Sequence, residues 1–171
     1  MSNEKLKQQA AHAALDYIVP GDVIGIGSGS TVNEFISMLS GVRAKIEAAV
    51  AASSESEARL RAVGIDVVDL NSVSNLSVYF DSADEFTVNR DLVKGGGGAL
   101  TREKILASMA DKFICMADGS KQVEGLGKHP VAIEVIPMAR SFIARQLRAK
   151  GATPVYREGF LTDNNNVILD V

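Results

Sequence analysis

The sequence predicts an α/β protein: a parallel sheet covered on both faces by helices, followed by a smaller α+β unit. Three observations carry that expectation. Short apolar runs alternate with helical patterns between Val23 and Ala117. One of those runs passes through Gly25-Ile26-Gly27-Ser28-Gly29-Ser30-Thr31 directly into a helix-spaced segment. After Gly119 the pattern changes to a polar connection and then to strand, helix, strand, strand.

Taken in order, Glu4 to Val19 keeps small apolar residues on one helical face and closes at Pro20-Gly21. Val23 to Gly27 is a short apolar strand, and Phe35, Ile36 and Leu39 mark the helix after it. Ile46 to Val50 is a second strand. Ser54 and Glu57 have capping-box spacing, in which each side chain binds the other residue's free amide, and that helix ends at Gly64. Val67-Val68 and Val78-Tyr79-Phe80 are further strands, Thr101 to Ala110 is a helix and Phe113 to Ala117 is a buried strand. Strands separated by helices pair in parallel, giving a Rossmann-like sheet.

Lys121 to Lys128 is a glycine-punctuated connection. Ile133 to Ile136 is a strand, and Pro137 suits the first position of a helix because its missing N–H would be unpaired there anyway. Met138, Ile143 and Leu147 lie on that helix, which ends before Gly151. Val155 to Leu161 and Val167 to Val171 alternate as a hairpin about Asp163-Asn164-Asn165-Asn166. This order is the first part of a ferredoxin-like unit. The expected organisation is a Rossmann-like domain over residues 1–128 and a partial ferredoxin-like α+β domain over 129–171. The chain stops within an apolar strand, so the second domain is expected to be incomplete at its C-terminal side.

Composition removes several function classes. A net charge of −3 with scattered basic residues predicts no nucleic-acid partner. No apolar run is long enough to span a bilayer, and the polar N-terminus is unlike a signal peptide, so no membrane partner is expected. The single cysteine, Cys115, rules out a disulfide within the chain; it reads as a buried strand residue in a reducing compartment. His12 and His129 stand apart, so no metal site is expected.

Chemistry concentrates in two places. The strand–glycine turn–helix at 25–31 suits an anion, because unpaired amides and the helix dipole point at the turn and Ser28, Ser30 and Thr31 add hydroxyls. The alternative is a tight turn that uses glycine only for packing. A dinucleotide is a weak reading, since serine occupies the place of the third glycine and no ribose-binding acid follows. The second place is Asp81-Ser82-Ala83-Asp84-Glu85, then Lys94 and the four glycines Gly95 to Gly98, then Glu103. Four glycines in a folded chain imply close approach of backbone amides to something. Carboxylates, an ammonium and bare amides together suit proton transfer beside a carbonyl. Each signal also has a plain structural account: Asp81 and Asp84 as turn residues, Lys94 and Lys121 as surface lysines, Glu103 as a helix-start acid. Arg102 and Lys104 read as solvated helix neighbours.

Together these segments resemble the A-type ribose-5-phosphate isomerases. The match also takes in Leu100-Thr101-Arg102-Glu103-Lys104-Ile105, Asp118-Gly119-Ser120-Lys121, Glu134-Val135-Ile136-Pro137-Met138-Ala139 and Thr162-Asp163-Asn164. The resemblance implies an enzyme that interconverts ribose 5-phosphate and ribulose 5-phosphate without cofactor or metal, in a cytoplasmic homodimer. By motif, Glu103 would move the proton between C2 and C1, and Asp81 would assist ring opening. Asp84 and Lys94 would hold the reacting hydroxyls and stabilise the enediolate, aided by the amides of Gly95, Gly96 and Gly97. Ser28, Gly29, Ser30, Thr31 and Lys121 would bind the phosphate and nearby oxygens, with Lys7 as a further phosphate contact. Ser82 and Ala83 would line the sugar.

Three positions depart from the family pattern. Ser28 stands for the usual threonine and keeps the hydroxyl. Ser82 stands for a glycine and would be strained at positive φ. Asn165 stands for a turn glycine, a place where asparagine tolerates the left-handed region. The resemblance further implies a following helix and strands, without which an open sheet edge and exposed apolar surface are expected. Two other readings compete. A non-catalytic sugar-phosphate sensor would share the fold, but such regulators carry a DNA-binding helix-turn-helix for which no room is expected before Val23. A dinucleotide-dependent enzyme is disfavoured by the imperfect glycine fingerprint.

Overall fold

The computed structural model describes residues 3–171. Its elements run α1 (Asn3–Ala14), β1 (Asp22–Ile26), α2 (Ser30–Leu39), β2 (Ile46–Ala51), α3 (Ser54–Ala62), β3 (Val78–Asp81), β4 (Glu85–Phe86), β5 (Leu92–Val93), α4 (Leu100–Met109), β6 (Phe113–Cys115), β7 (Ala132–Val135), α5 (Arg140–Ala149), β8 (Val155–Tyr156) and β9 (Val167–Asp170). Four strands form a parallel sheet in the order β2-β1-β3-β6. A separate antiparallel sheet has the order β7-β9-β8.

The two faces of the large sheet separate by residue parity, as a strand's period of two requires. Ile24, Ile26, Val78 and Phe80 point to one face, where they pack with Ala11 and Ala14 of α1, Phe35, Ile36 and Leu39 of α2, and Leu60 of α3. Tyr79 and Val50 point to the other face, against Leu106 of α4 and Leu76. Gly25 lies on that second face because a Cβ there would fall 2.9 Å from the Tyr79 ring and 3.3 Å from Leu106. Phe35 is fully buried, with its ring centroid 4.6 Å from that of Phe80. Phe35→Ala is therefore expected to cost about 3–5 kcal/mol, measured by urea unfolding, through lost transfer energy plus a cavity.

Several local expectations change in the fold. Val67 makes only an isolated parallel bridge to Ala49, and no strand forms at 67–68; the segment runs past the sheet edge too briefly to build a ladder. Ser53, not Ser54, caps α3, accepting from the Ser56 amide at 3.1 Å. Pro137 opens a 3-10 turn, Pro137–Ala139, that leads into α5. Cys115 is half-buried rather than buried, because β6 is the outer strand of its sheet. The β4–β5 hairpin was not legible as strands, since each arm is two residues long. Asn165 takes the expected left-handed conformation, with φ +59°.

In the small sheet the alternation sorts contacts to two faces. Ile133, Val135, Val167, Leu169 and Tyr156 pack with Ile143 and Leu147 of α5. Ala132, Glu134 and Ile168 alternate with these toward the opposite face, and Ala132 there approaches Gly95. Ile136, Met138 and Phe142 are exposed, and β7 has no second strand neighbour among the described residues.

Candidate active site

The parallel strands deliver the site residues at their carboxyl ends, where helix N-termini and loops converge. β1 ends at Ile26, the Gly27 amide donates to the Phe80 carbonyl at 2.8 Å, and α2 starts at Ser30 after Gly29 at φ +100°. β3 ends at Asp81. The β4–β5 hairpin turns back to place Lys94, and the first turn of α4 carries Glu103.

Asp81 is fully buried and receives several donors. Its Oδ1 accepts from the amides of Ser82 (2.7 Å) and Ser28 (3.2 Å). Its Oδ2 accepts from Lys94 Nζ (2.7 Å) and the Tyr79 hydroxyl (2.5 Å). Gly27 is required beside it, because a Cβ there would lie 2.0 Å from Asp81 Cγ. Lys94 Nζ also donates to the Ser82 carbonyl at 2.6 Å and faces Glu103 Oε2 at 3.2 Å. The other Glu103 oxygen, Oε1, accepts from Ser28 Oγ at 2.6 Å. Oε2 is buried, and among the described residues its one close partner is the Lys94 ammonium, paired with it as an ion at 3.2 Å.

Burial raises the Glu103 pKa above the ordinary carboxylate value and Asp81 adds to this, while Lys94 and the Ser28 hydrogen bond oppose it. Burial alone would lower the Lys94 pKa, but the Asp81 and Glu103 carboxylates outweigh it and the ammonium is held charged. Burial followed by the two carboxylates pushes the Tyr79 phenol far up, so it stays a donor. The cluster therefore contains a permanent cation, a permanent hydroxyl donor and a carboxylate whose proton affinity has been increased.

Around this centre, the Gly96 amide donates to Asp84 Oδ2 at 2.8 Å. Lys121 Nζ donates to the Ala83 carbonyl at 2.5 Å, and Lys7 Nζ donates to Ser30 Oγ at 2.9 Å. Hydrogen bonds from Ser120, and then the charges of Lys121 and Lys7, hold the Asp118 carboxyl below its ordinary value. Thr31 is buried, and its hydroxyl has no hydrogen-bond partner among the described residues. Ser82 is free of strain: among the described non-glycine residues only Arg90 and Asn165 have positive φ. Its hydroxyl donates toward the Ser28 carbonyl at 3.4 Å.

A cleft of about 230 Å³ opens between Ser28, Gly29, Gly97, Gly98, Phe160 and Asp163. A larger hollow of about 590 Å³ lies at the β6 edge against Phe86, Leu92 and Phe113, but only the smaller cleft is bordered by Ser28, whose hydroxyl binds Glu103, and by the glycine loop. The smaller cleft is therefore the candidate site. Its far wall is the 162–166 loop, whose importance hairpin logic did not disclose. Glu134 Oε1 accepts from Thr162 Oγ1 (2.7 Å), Asn164 Nδ2 (3.0 Å) and Asn166 Nδ2 (2.9 Å). Arg102, read from sequence as solvated, donates to Asn164 Oδ1 at 2.8 Å and to the Asp163 carbonyl at 3.0 Å. Asp163 Oδ2 accepts from the Ser54 amide at 2.7 Å. Tyr79 was likewise missed, because within a buried strand a tyrosine reads as core.

The family model described as Ribose 5-phosphate isomerase A (phosphoriboisomerase A) matches residues 48–171. The chain is 59% identical over 167 residues to the ribose-5-phosphate isomerase A of Legionella pneumophila (strain Lens), a match spanning 98% of this chain and 77% of that protein. The chain belongs to the ribose 5-phosphate isomerase A family. Members interconvert ribose 5-phosphate and ribulose 5-phosphate. Among solved structures of the family, that of ribose 5-phosphate isomerase A from Neisseria gonorrhoeae superposes with a TM-score of 0.97 at 45% identity, covering 99% of this chain and 76% of that one. A D-ribose-5-phosphate isomerase solved in complex with phospho-erythronic acid gives a TM-score of 0.94 at 38% identity, covering 99% of this chain and 79% of that one. Among the described residues no helix is long and apolar enough to cross a membrane.

Proposed function

We propose that this chain isomerises ribose 5-phosphate to ribulose 5-phosphate through an enediolate, with Glu103 as the proton-transferring base. The observation that carries the reading is the Glu103 carboxylate, with one oxygen tied to Ser28 Oγ and the other 3.2 Å from Lys94 Nζ. Glu103 takes the C2 proton of the open-chain aldose. The C2–H electrons form the C1–C2 double bond, and the O1 carbonyl becomes an oxyanion. Lys94 and the amides of Gly95 and Gly97 stabilise that charge, the Gly96 amide being held by Asp84, and one well-placed donor of this kind contributes about 3–4 kcal/mol. The O2 proton passes to the O1 oxyanion, the C2 carbonyl forms as the C1–C2 double-bond electrons take the proton that Glu103 returns to C1, and C1 is left as the CH2OH of the ketose.

Asp81, fixed by four donors, is assigned to ring opening, and Asp84 to the reacting hydroxyls. Ser28, Gly29, Ser30, Thr31, Lys121 and Lys7 are assigned to the phosphate and nearby oxygens, and Ser82 and Ala83 to the sugar. Anchoring the phosphate far from C1 and C2 holds the reacting carbons in line with the base. In this reading residues 1–128 form the catalytic domain and 129–171 an α+β domain that closes the cleft. A homodimer in the cytoplasm accompanies the family assignment, and sedimentation of the purified chain tests the dimer.

The deciding experiment follows ketose formation from ribose 5-phosphate by purified protein, with Glu103→Gln as control. Equal rates in the two would remove Glu103 from its role. The pH dependence carries a further expectation. The base must be ionised, and its pKa is raised, so kcat/KM falls on acidification at a pH above the ordinary glutamate value of about 4.3. An acid limb at or below that value contradicts the assignment.

A further inference from the structure

Arg157, just beyond β8 on the small sheet, reaches into the glycine loop. Its Nε and Nη2 grip both oxygens of Asp170, at 2.9 and 2.5 Å. The two residues sit on one face of the sheet, since Val155 pairs with Asp170 and the Arg157 amide donates to the Ile168 carbonyl. Such a fork-on-fork pair fixes the guanidinium plane. Its remaining arm, Nη1, donates to the Gly96 carbonyl at 3.0 Å. The Phe160 ring lies 5.2 Å from Arg157 Cζ and packs on Gly98, where an added Cβ would fall 2.4 Å from the ring.

A peptide unit is planar and trans, so its C=O and the following N–H point in opposite directions. Holding the Gly96 carbonyl toward Arg157 turns the Gly97 N–H away from it. Gly97 lines the cleft with Ser28 and Gly29, and its N–H has no acceptor among the described residues. The preceding peptide is held as well, through the Gly96 amide on Asp84. Glycine needs such external restraint because its backbone is the least restricted of all residues.

We propose that Arg157 is a positioning residue: by holding the Gly96 carbonyl it presents the Gly97 N–H as a fixed donor to the oxyanion that develops on the sugar. The inference rests on the isomerase reading above and adds a residue outside the motif-derived site. Asp170 orients Arg157, so the small sheet contributes to catalysis through the glycine loop without touching substrate.

The test uses Arg157→Met and Arg157→Lys in the full chain. Lysine keeps the charge but cannot grip Asp170 with two arms while reaching Gly96. Both variants are expected to lose roughly tenfold or more in kcat with KM within about twofold, the signature of an interaction made in the transition state. Inhibition by phospho-erythronic acid, whose carboxylate presents charge at the reacting end, should weaken by a similar factor. Inhibition by inorganic phosphate should not change. Unchanged kcat in the variants beside an active parent protein overturns the inference alone, as does equal weakening of both inhibitors or loss of the fold in both variants. A parent protein without turnover would instead overturn the isomerase reading.

Discussion

Glu103→Gln lowers kcat for ribose 5-phosphate by about 10²–10⁴-fold while the protein stays folded, because a positioned base is removed and little volume changes. The amide can still accept from Ser28 Oγ, now 2.6 Å from Glu103 Oε1, so the loop at 28–31 keeps its contact. The linkage supports retained stability. A raised folded-state pKa means that ionised Glu103 is unfavourable in the native site, so its favourable contribution exists at low pH and is lost as pH rises through that value. At neutral pH the variant relieves this, and its melting temperature is expected at or above that of the parent. Thermal unfolding read alongside kcat checks both parts. A large loss of Tm would mean that the Lys94–Glu103 pair holds the loop together and that the activity loss is structural.

Gly27→Ala should be nearly as damaging, through geometry instead of chemistry. The new Cβ would lie 2.0 Å from Asp81 Cγ and 2.2 and 2.5 Å from its oxygens, so the carboxylate must move. Asp81 has nowhere to go without breaking hydrogen bonds from Tyr79, Lys94, Ser28 and Ser82. Displacing a reacting group by about 1 Å can cost around 10²-fold, and that is the expected fall in kcat/KM. Overpacking at a buried site adds a stability loss of about 1–3 kcal/mol. Gly41→Ala, where an added Cβ meets nothing within 4 Å, is the matched control and should leave both quantities unchanged. Comparable losses in the two variants would show a general intolerance of alanine, not a clash at Asp81.

Much of the fold was legible because its long elements are locally consistent. The alternation at Val78-Tyr79-Phe80 and the helical spacing at Phe35, Ile36 and Leu39 each specify a conformation and a buried face, and the large sheet forms from them. What escaped was short or non-local. β4 and β5 have two residues each, which no periodicity can register. Ser53 displaced Ser54 as the cap because the choice depends on where the chain leaves β2, and the Ser54 amide is taken by Asp163 from 109 positions away. Arg102 reads as an ordinary solvated charge, and the partners of Glu134 are unknown, until the 162–166 loop folds against both.

The sequence by itself determined the order of the longer strands and helices, the family, and which residue types stand ready for proton transfer. These are properties of neighbouring residues, whose torsions and apolar spacing act within a few positions along the chain. Tertiary structure alone decided that Ser28 meets Glu103 across 75 positions, that Lys94 stands between two carboxylates, and that Arg157 on the small sheet reaches Gly96. Those meetings arise from how parallel strands stack and where their ends converge, and chain connectivity does not encode that convergence locally.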